Sequence, residues 1–252
     1  MNTLQLVKPL PSGEEGKLRF KLSQLKKRKL YVSAKVRILN KWKAKYSHSF
    51  NLQHLIYQEL QVLVTRYCLI WQMMKFCWKN PHSFYVTLST PTMRGYSDVT
   101  IKGLFIKLLH ELNRELFGDV KDDWLIHGYA VVEKHDKKGT AICPHIHAIL
   151  SFPEGTVDAG RLEELFNELI STRFVVVTNR EGKKHLKKKS LTDNHGHQIF
   201  DEASVSKVRQ DDVENLCQYN MKNVFHDDLV NNPNDEGAGL FSVSGASLTR
   251  VL

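Results

Sequence analysis

Acidic residues are scarce in the first fifty positions, where only Glu14 and Glu15 stand against thirteen lysines and arginines. That segment holds a net +11 in a chain whose total is +9, so residues 51 to 252 sum to −2. A basic segment joined to a near-neutral body points to a polyanionic partner, most economically nucleic acid. Cysteine is scarce too. Cys68, Cys77, Cys143 and Cys217 form no CxxC pair, so neither a disulfide framework nor a cysteine zinc site is indicated, and a reducing compartment fits. The most apolar stretch, Leu55 to Trp78, is broken by Glu59, Arg66 and Lys75 and does not read as a membrane span. No charged start is followed by an apolar block and a cleavage site, so no signal peptide is expected and the predicted location is cytoplasmic.

The chemistry concentrates in Pro144-His145-Ile146-His147-Ala148-Ile149-Leu150, an apolar run closed by Phe152 and Pro153. Alternation along a strand puts His145 and His147 on one face and Ile146 and Ala148 on the other. Two imidazoles aimed the same way can reach one divalent cation; two surface histidines on a half-buried strand are the bland alternative. Upstream, Tyr129-Ala130-Val131-Val132-Glu133 reads as a second strand, followed by the polar stretch His135 to Gly139, a hairpin pattern. Antiparallel pairing would bring Glu133 near the histidines as a third ligand across an 11-residue connection, with His135 as its substitute. A two-histidine, one-carboxylate set leaves coordination positions open, as catalysis requires. His195 and His197 repeat the spacing around Gly196, but a polar loop would not fix both rings and no metal is expected there.

A helix is predicted over Asp211 to His226. Winding it at 100° per residue gathers Val213, Leu216, Cys217 and Val224 in one stripe and leaves Tyr219, Lys222 and His226 on the other side. A helical tyrosine usually fills a core, yet Tyr219 lies outside the apolar stripe and one turn from a lysine able to stabilise phenolate or phosphate charge. Earlier in the chain, Phe84 to Thr90 reads as a strand with Tyr85, Thr87 and Ser89 alternating with Val86 and Leu88. Its hydroxyls could hold phosphates, or merely line a wet sheet face.

Taken together, Phe84-Tyr85-Val86-Thr87-Leu88-Ser89-Thr90, His145-Ile146-His147 and Tyr219-Asn220-Met221-Lys222 resemble motifs I, II and III of the HUH endonucleases, in that family's order. The likeness is to the single-tyrosine replication initiators of rolling-circle plasmids and small single-stranded DNA viruses. It implies an α+β, ferredoxin-like fold with a central antiparallel sheet flanked by helices. It also implies a divalent metal, Mg²⁺ or Mn²⁺, and attack by Tyr219 on a DNA phosphodiester that leaves a 5′-phosphotyrosine and a free 3′-hydroxyl. The implied partner is single-stranded or hairpin DNA at a replication origin or an element end. A transposase of the same superfamily shares this chemistry, and a noncatalytic basic DNA-binding protein is the remaining alternative.

Three segments are expected: a DNA-contacting N-terminal segment over 1–50, a catalytic domain over 51–230 and a tail over 231–252 that folds back onto it. In the first, Lys26, Lys27, Arg28, Lys29 and Trp42 are candidate DNA contacts, since cations track phosphates and aromatic rings stack on unpaired bases. Amphipathic helices are predicted at Ile101 to Phe117, stopped by Gly118, and at Ala159 to Ile170. Strands are predicted at Arg173 to Thr178 and within Ile199 to Val208, with a solvated lysine-rich loop between them. No repeat or P-loop is present, so no attached helicase domain is expected.

Overall fold

The computed structural model describes residues 12–46, 55–90, 98–118, 125–135, 141–171, 173–178, 184–189, 200–221, 240–244 and 247–250. The chain divides into two compact units between Lys75 and Phe76. The apolar stretch from Leu55 belongs, up to Lys75, with the N-terminal helices.

The N-terminal unit contains α1 (Ser12–Lys27), α2 (Val32–Tyr46) and most of α3 (Leu55–Lys79). Its basic segment is helical because a thin apolar seam runs through the charge. Leu18, Leu22 and Leu25 recur at helical spacing on α1 and are buried with Leu39, Tyr46, Leu60, Leu63 and Val64. Lysines fill the remaining faces, where long side chains keep their charges in water. One of them turns inward: Lys35 donates to the Tyr67 hydroxyl at 3.2 Å and lies over the same ring.

The second unit is α+β. Six strands, β1 (Ser83–Leu88), β2 (His127–His135), β3 (Ala141–Ser151), β6 (Ala203–Lys207), β7 (Leu240–Ser244) and β8 (Ser247–Arg250), form one antiparallel open sheet in the order β6-β1-β3-β2-β7-β8. Within the stretch expected to be a tail, β7 pairs with β2 and β8 lies beyond it. Helices α4 (Asp98–Phe117) and α5 (Ala159–Ser171) share a core with the sheet. That core includes Phe84, Val86, Leu88, Ala130, Ile146, Ala148 and Leu150 from the strands and Phe105, Leu108, Leu112, Leu162 and Phe166 from the helices. Each buried branched or aromatic side chain contributes about 1.5–3 kcal/mol. Gly118 ends α4 at φ 77°, with its N–H donating to the Arg114 carbonyl at 2.8 Å. Side chains of α5 also satisfy backbone groups of β6: Asn167 exchanges two hydrogen bonds with the Ala203 backbone, and Glu163 accepts from the Val205 N–H.

Two elements depart from the sequence reading. The lysine-rich loop forms β5 (Lys184–Lys189), paired with β4 (Arg173–Thr178) in a separate two-stranded sheet. The tyrosine helix, α6, spans only Val213–Asn220, with Met221 as its C-cap. Among the described residues no helix is long and apolar enough to cross a membrane.

Candidate metal centre

The sheet's pleat sorts the side chains. On β3, Ile146 and Ala148 face the helices, so His145 and His147 face the other side. The β2–β3 register sets Glu133 directly opposite His145, and His135 pairs with Ala141. The 11-residue connection is therefore partly strand, with a register shift between Glu133 and His135, and it does not separate the carboxylate from the imidazoles. On the other flank the β1–β3 register sets Thr87 opposite His147.

The three predicted ligands meet. One oxygen of Glu133, Oε2, lies 2.7 Å from His147 Nε2 and 3.1 Å from His145 Nε2, and the candidate ligand atoms all fall within 4.8 Å of one another. Glu133 and His147 are buried, while His145 is partly open to solvent. The outer contacts decide what this cluster accepts. His145 Nδ1 lies 2.9 Å from the Cys143 carbonyl, a pure acceptor, so Nδ1 carries the ring proton. A neutral His145 then turns its Nε2 lone pair on the Glu133 carboxylate. Two acceptors face each other at 3.1 Å, and a positive centre, either a proton or a metal cation, has to lie between them. Burying the carboxylate unpaired would cost several kcal/mol, so the cluster needs a positive centre and could hold a metal ion.

His147 is oriented from behind. Its Nδ1 lies 2.7 Å from the Tyr85 hydroxyl and 3.2 Å from Thr87 Oγ1, and the Tyr85 ring stacks on the imidazole at 5.7 Å and 5°. With Nδ1 donating to these oxygens, the Nε2 lone pair is turned toward Glu133 Oε2, where the two can share a cation. Burial pushes the Tyr85 phenol above its ordinary value, more than the hydrogen bond from Thr87 lowers it, and Tyr219 and Glu133 push it up further. Tyr85 is thereby kept as a neutral hydrogen-bonding group. Burial also raises the Tyr129 phenol, with a further push from Cys77.

Tyr219 approaches from α6. Its ring lies 5.6 Å from the His147 ring, edge to face at 81°, and it is 40 % exposed. Val213, Cys217 and Met221 are buried, fixing one side of the short helix, and the Cys217 thiol hydrogen-bonds with Cys77. Of the predicted stripe, Val213 and Cys217 are buried and Leu216 is half-buried, Val224 lies outside the described residues, and Tyr219 is exposed. The helix ends at Asn220, short of the predicted His226; Lys222 and His226 lie outside the described residues, as do His195 and His197 and the side chain of His135. Asn220 is buried with its Oδ1 unpaired, a feature that no sequence pattern marks.

Comparison of the chain with protein-family models, curated proteins and solved structures gives no match. The site has to speak through its own chemistry.

The candidate DNA contacts are placed less uniformly. Thr87 faces His147, and the Ser89 hydroxyl donates to the Glu202 carbonyl at 3.3 Å. Lys26 pairs with Glu59 of α3 at 2.5 Å, while Lys27, Arg28 and Lys29 are exposed around the end of α1 and Trp42 is half-buried on α2. Sequence reasoning grouped Tyr85 with the motif I strand and missed its bond to His147. The signal was available only once the register of β1 on β3 was known.

Proposed function

We propose that the chain is an HUH-type endonuclease of ferredoxin-like fold that nicks single-stranded DNA through Tyr219 and initiates rolling-circle replication. The observation that carries this reading is the placement of an accessible phenol beside a two-histidine, one-carboxylate cluster suited to a cation. Glu133, His145 and His147 would hold a divalent ion, Mg²⁺ or Mn²⁺, which when bound supplies Lewis-acid stabilisation of phosphate charge. Nitrogen and oxygen donors together admit either metal, and Zn²⁺ would compete.

The chain's own residues account for the rest. A free phenol ionises near pH 10, so attack at neutral pH begins from roughly a 4 kcal/mol deficit. Tyr219 Oη forms a bond to phosphorus while the bond to the 3′-oxygen breaks; the phenolic proton leaves to solvent, and the 3′-oxygen takes a proton to become a hydroxyl. The covalent link stores the phosphate for later rejoining. Tyr85 and Thr87 hold His147 in one orientation, and Lys222, close in sequence to Tyr219, is the proposed partner for developing negative charge. A transposase of the same superfamily would use the same steps, with an element end in place of an origin.

Tyr219→Phe tests the assignment. The exposed ring stays, so the fold and DNA affinity should be retained, while the covalent protein–DNA band formed with a single-stranded oligonucleotide and Mn²⁺ should vanish in denaturing gels. A Tyr219→Phe protein that still formed the adduct would sink the proposal.

A further inference from the structure

The N-terminal unit contains a cavity of about 150 Å³ between α1 and α2, lined by Phe20, Lys21, Gln24, Leu25, Arg28 and Trp42 among others. We propose that this cavity is a second nucleic-acid site, which takes one unpaired base of single-stranded DNA while Lys21 and Arg28 meet the flanking phosphates. The inference borrows only its ligand class, single-stranded DNA, from the proposed function.

Four observations favour that occupant. A space of this volume accepts a single aromatic ring system, as an engineered cavity of about 150 Å³ accepts benzene. Its lining offers two aromatic rings: Phe20, 65 % exposed in spite of its apolar side chain, and the half-buried Trp42. Bases stack on such rings only when they are unpaired, which selects single strands over duplex. Lys21 and Arg28 are exposed at the same cavity, in a stretch, residues 12–46, that holds twelve lysines and arginines against two glutamates. An acidic peptide would satisfy the charge and leave the rings unused. Gln24 adds a polar amide to the lining, able to pair with a base edge.

The full-length protein, carrying Tyr219→Phe to prevent covalent capture, is titrated in EDTA against fluorescent oligo-dT, the duplex dA·dT of equal length, oligo-rU and polyglutamate. Oligo-dT should bind tightest. Phe20→Ala, at an exposed position that leaves the fold intact, should weaken oligo-dT binding by about tenfold, the scale of one lost base stack. Arg28→Ala should lower the slope of log affinity against log salt by about 0.7. Trp42→Leu should abolish the quenching of tryptophan fluorescence by oligo-dT. The proposal is overturned if Phe20→Ala binds oligo-dT within twofold of its parent, or if duplex, oligo-rU or polyglutamate binds as tightly as oligo-dT. The two readings fail separately. A chain with wild-type Tyr219 that forms no adduct, combined with a tenfold Phe20→Ala effect, removes the nuclease and keeps the cavity; an adduct combined with an unaltered Phe20→Ala titration does the reverse.

Discussion

Removing one oxygen atom at Tyr85 should weaken metal binding at the candidate centre without touching a ligand. The hydroxyl lies 2.7 Å from His147 Nδ1, and Tyr85→Phe deletes it while keeping the ring stacked on the imidazole. Outer partners of ligating histidines are worth about 10- to 100-fold in metal affinity. Thr87 Oγ1, at 3.2 Å from the same nitrogen, remains as a second acceptor, so the single variant should sit at the lower end, about tenfold or 1.4 kcal/mol. Tyr85→Phe with Thr87→Val removes both oxygens and should approach the upper end, about 100-fold. Calorimetric titration with Mn²⁺ reads the affinities, and the ¹⁵N shifts of His147 report loss of its fixed tautomer. Unchanged Mn²⁺ affinity in the double variant would refute the reasoning, because His147 would then be oriented by something other than these hydroxyls.

Alanine at His145 or at His147 should each abolish Mn²⁺ binding in the same titration, whereas replacing His195 and His197 together should leave it intact; equal losses from both pairs would mean a different ligand set. Gly128→Ala should destabilise the protein and weaken Mn²⁺ binding together, because a Cβ there overlaps the Ile149 carbonyl across the β2–β3 pair that sets Glu133 opposite His145; a thermal melt and a titration unchanged from wild type would contradict this. Burial raises the Tyr85 phenol in the folded state, so the unfolded chain loses that proton first and stability should fall as pH rises beyond about 10. Denaturant titrations between pH 8 and 11 should show the fall, and Tyr85→Phe should flatten it.

What was legible in the sequence was local and periodic. Leu104, Leu108 and Leu112 announce α4, and the alternation through His145, Ile146 and His147 separates a ligand face from a packing face before any strand is paired. Glu133 followed from hairpin grammar, although the apparent length of the connection concealed that its ends are strand. Elements whose stability comes from distant partners were not legible. In α1 and α2 the leucine seam is diluted by lysine, so charge masked helical spacing. In β5 the stretch Lys184 to Lys189 has almost no apolar alternation, and its strand geometry follows from pairing with β4. The end of α6 was overrun because Val224 fits the stripe, and periodicity alone does not say where backbone hydrogen bonding stops.

The two halves of the candidate site are built with different rigidity, and this follows from where each sits in the fold. His145 and His147 lie on β3, which is hydrogen-bonded to strands on both sides, and Glu133 lies on β2, its direct neighbour. Displacing one ligand would break a ladder and expose the Ile146 side of the sheet. Tyr219 instead occupies the last turn of an eight-residue helix, too short to be stable by itself, whose position depends on the burial of Val213, Cys217 and Met221. A firmly held candidate cation site beside a more loosely anchored phenol suits the reaction proposed above, in which the phosphate would first be held and the tyrosine covalently attached afterwards. In that proposed reaction the nucleophile would move toward phosphorus and later give the phosphate back, while the groups that hold the charge would stay in place.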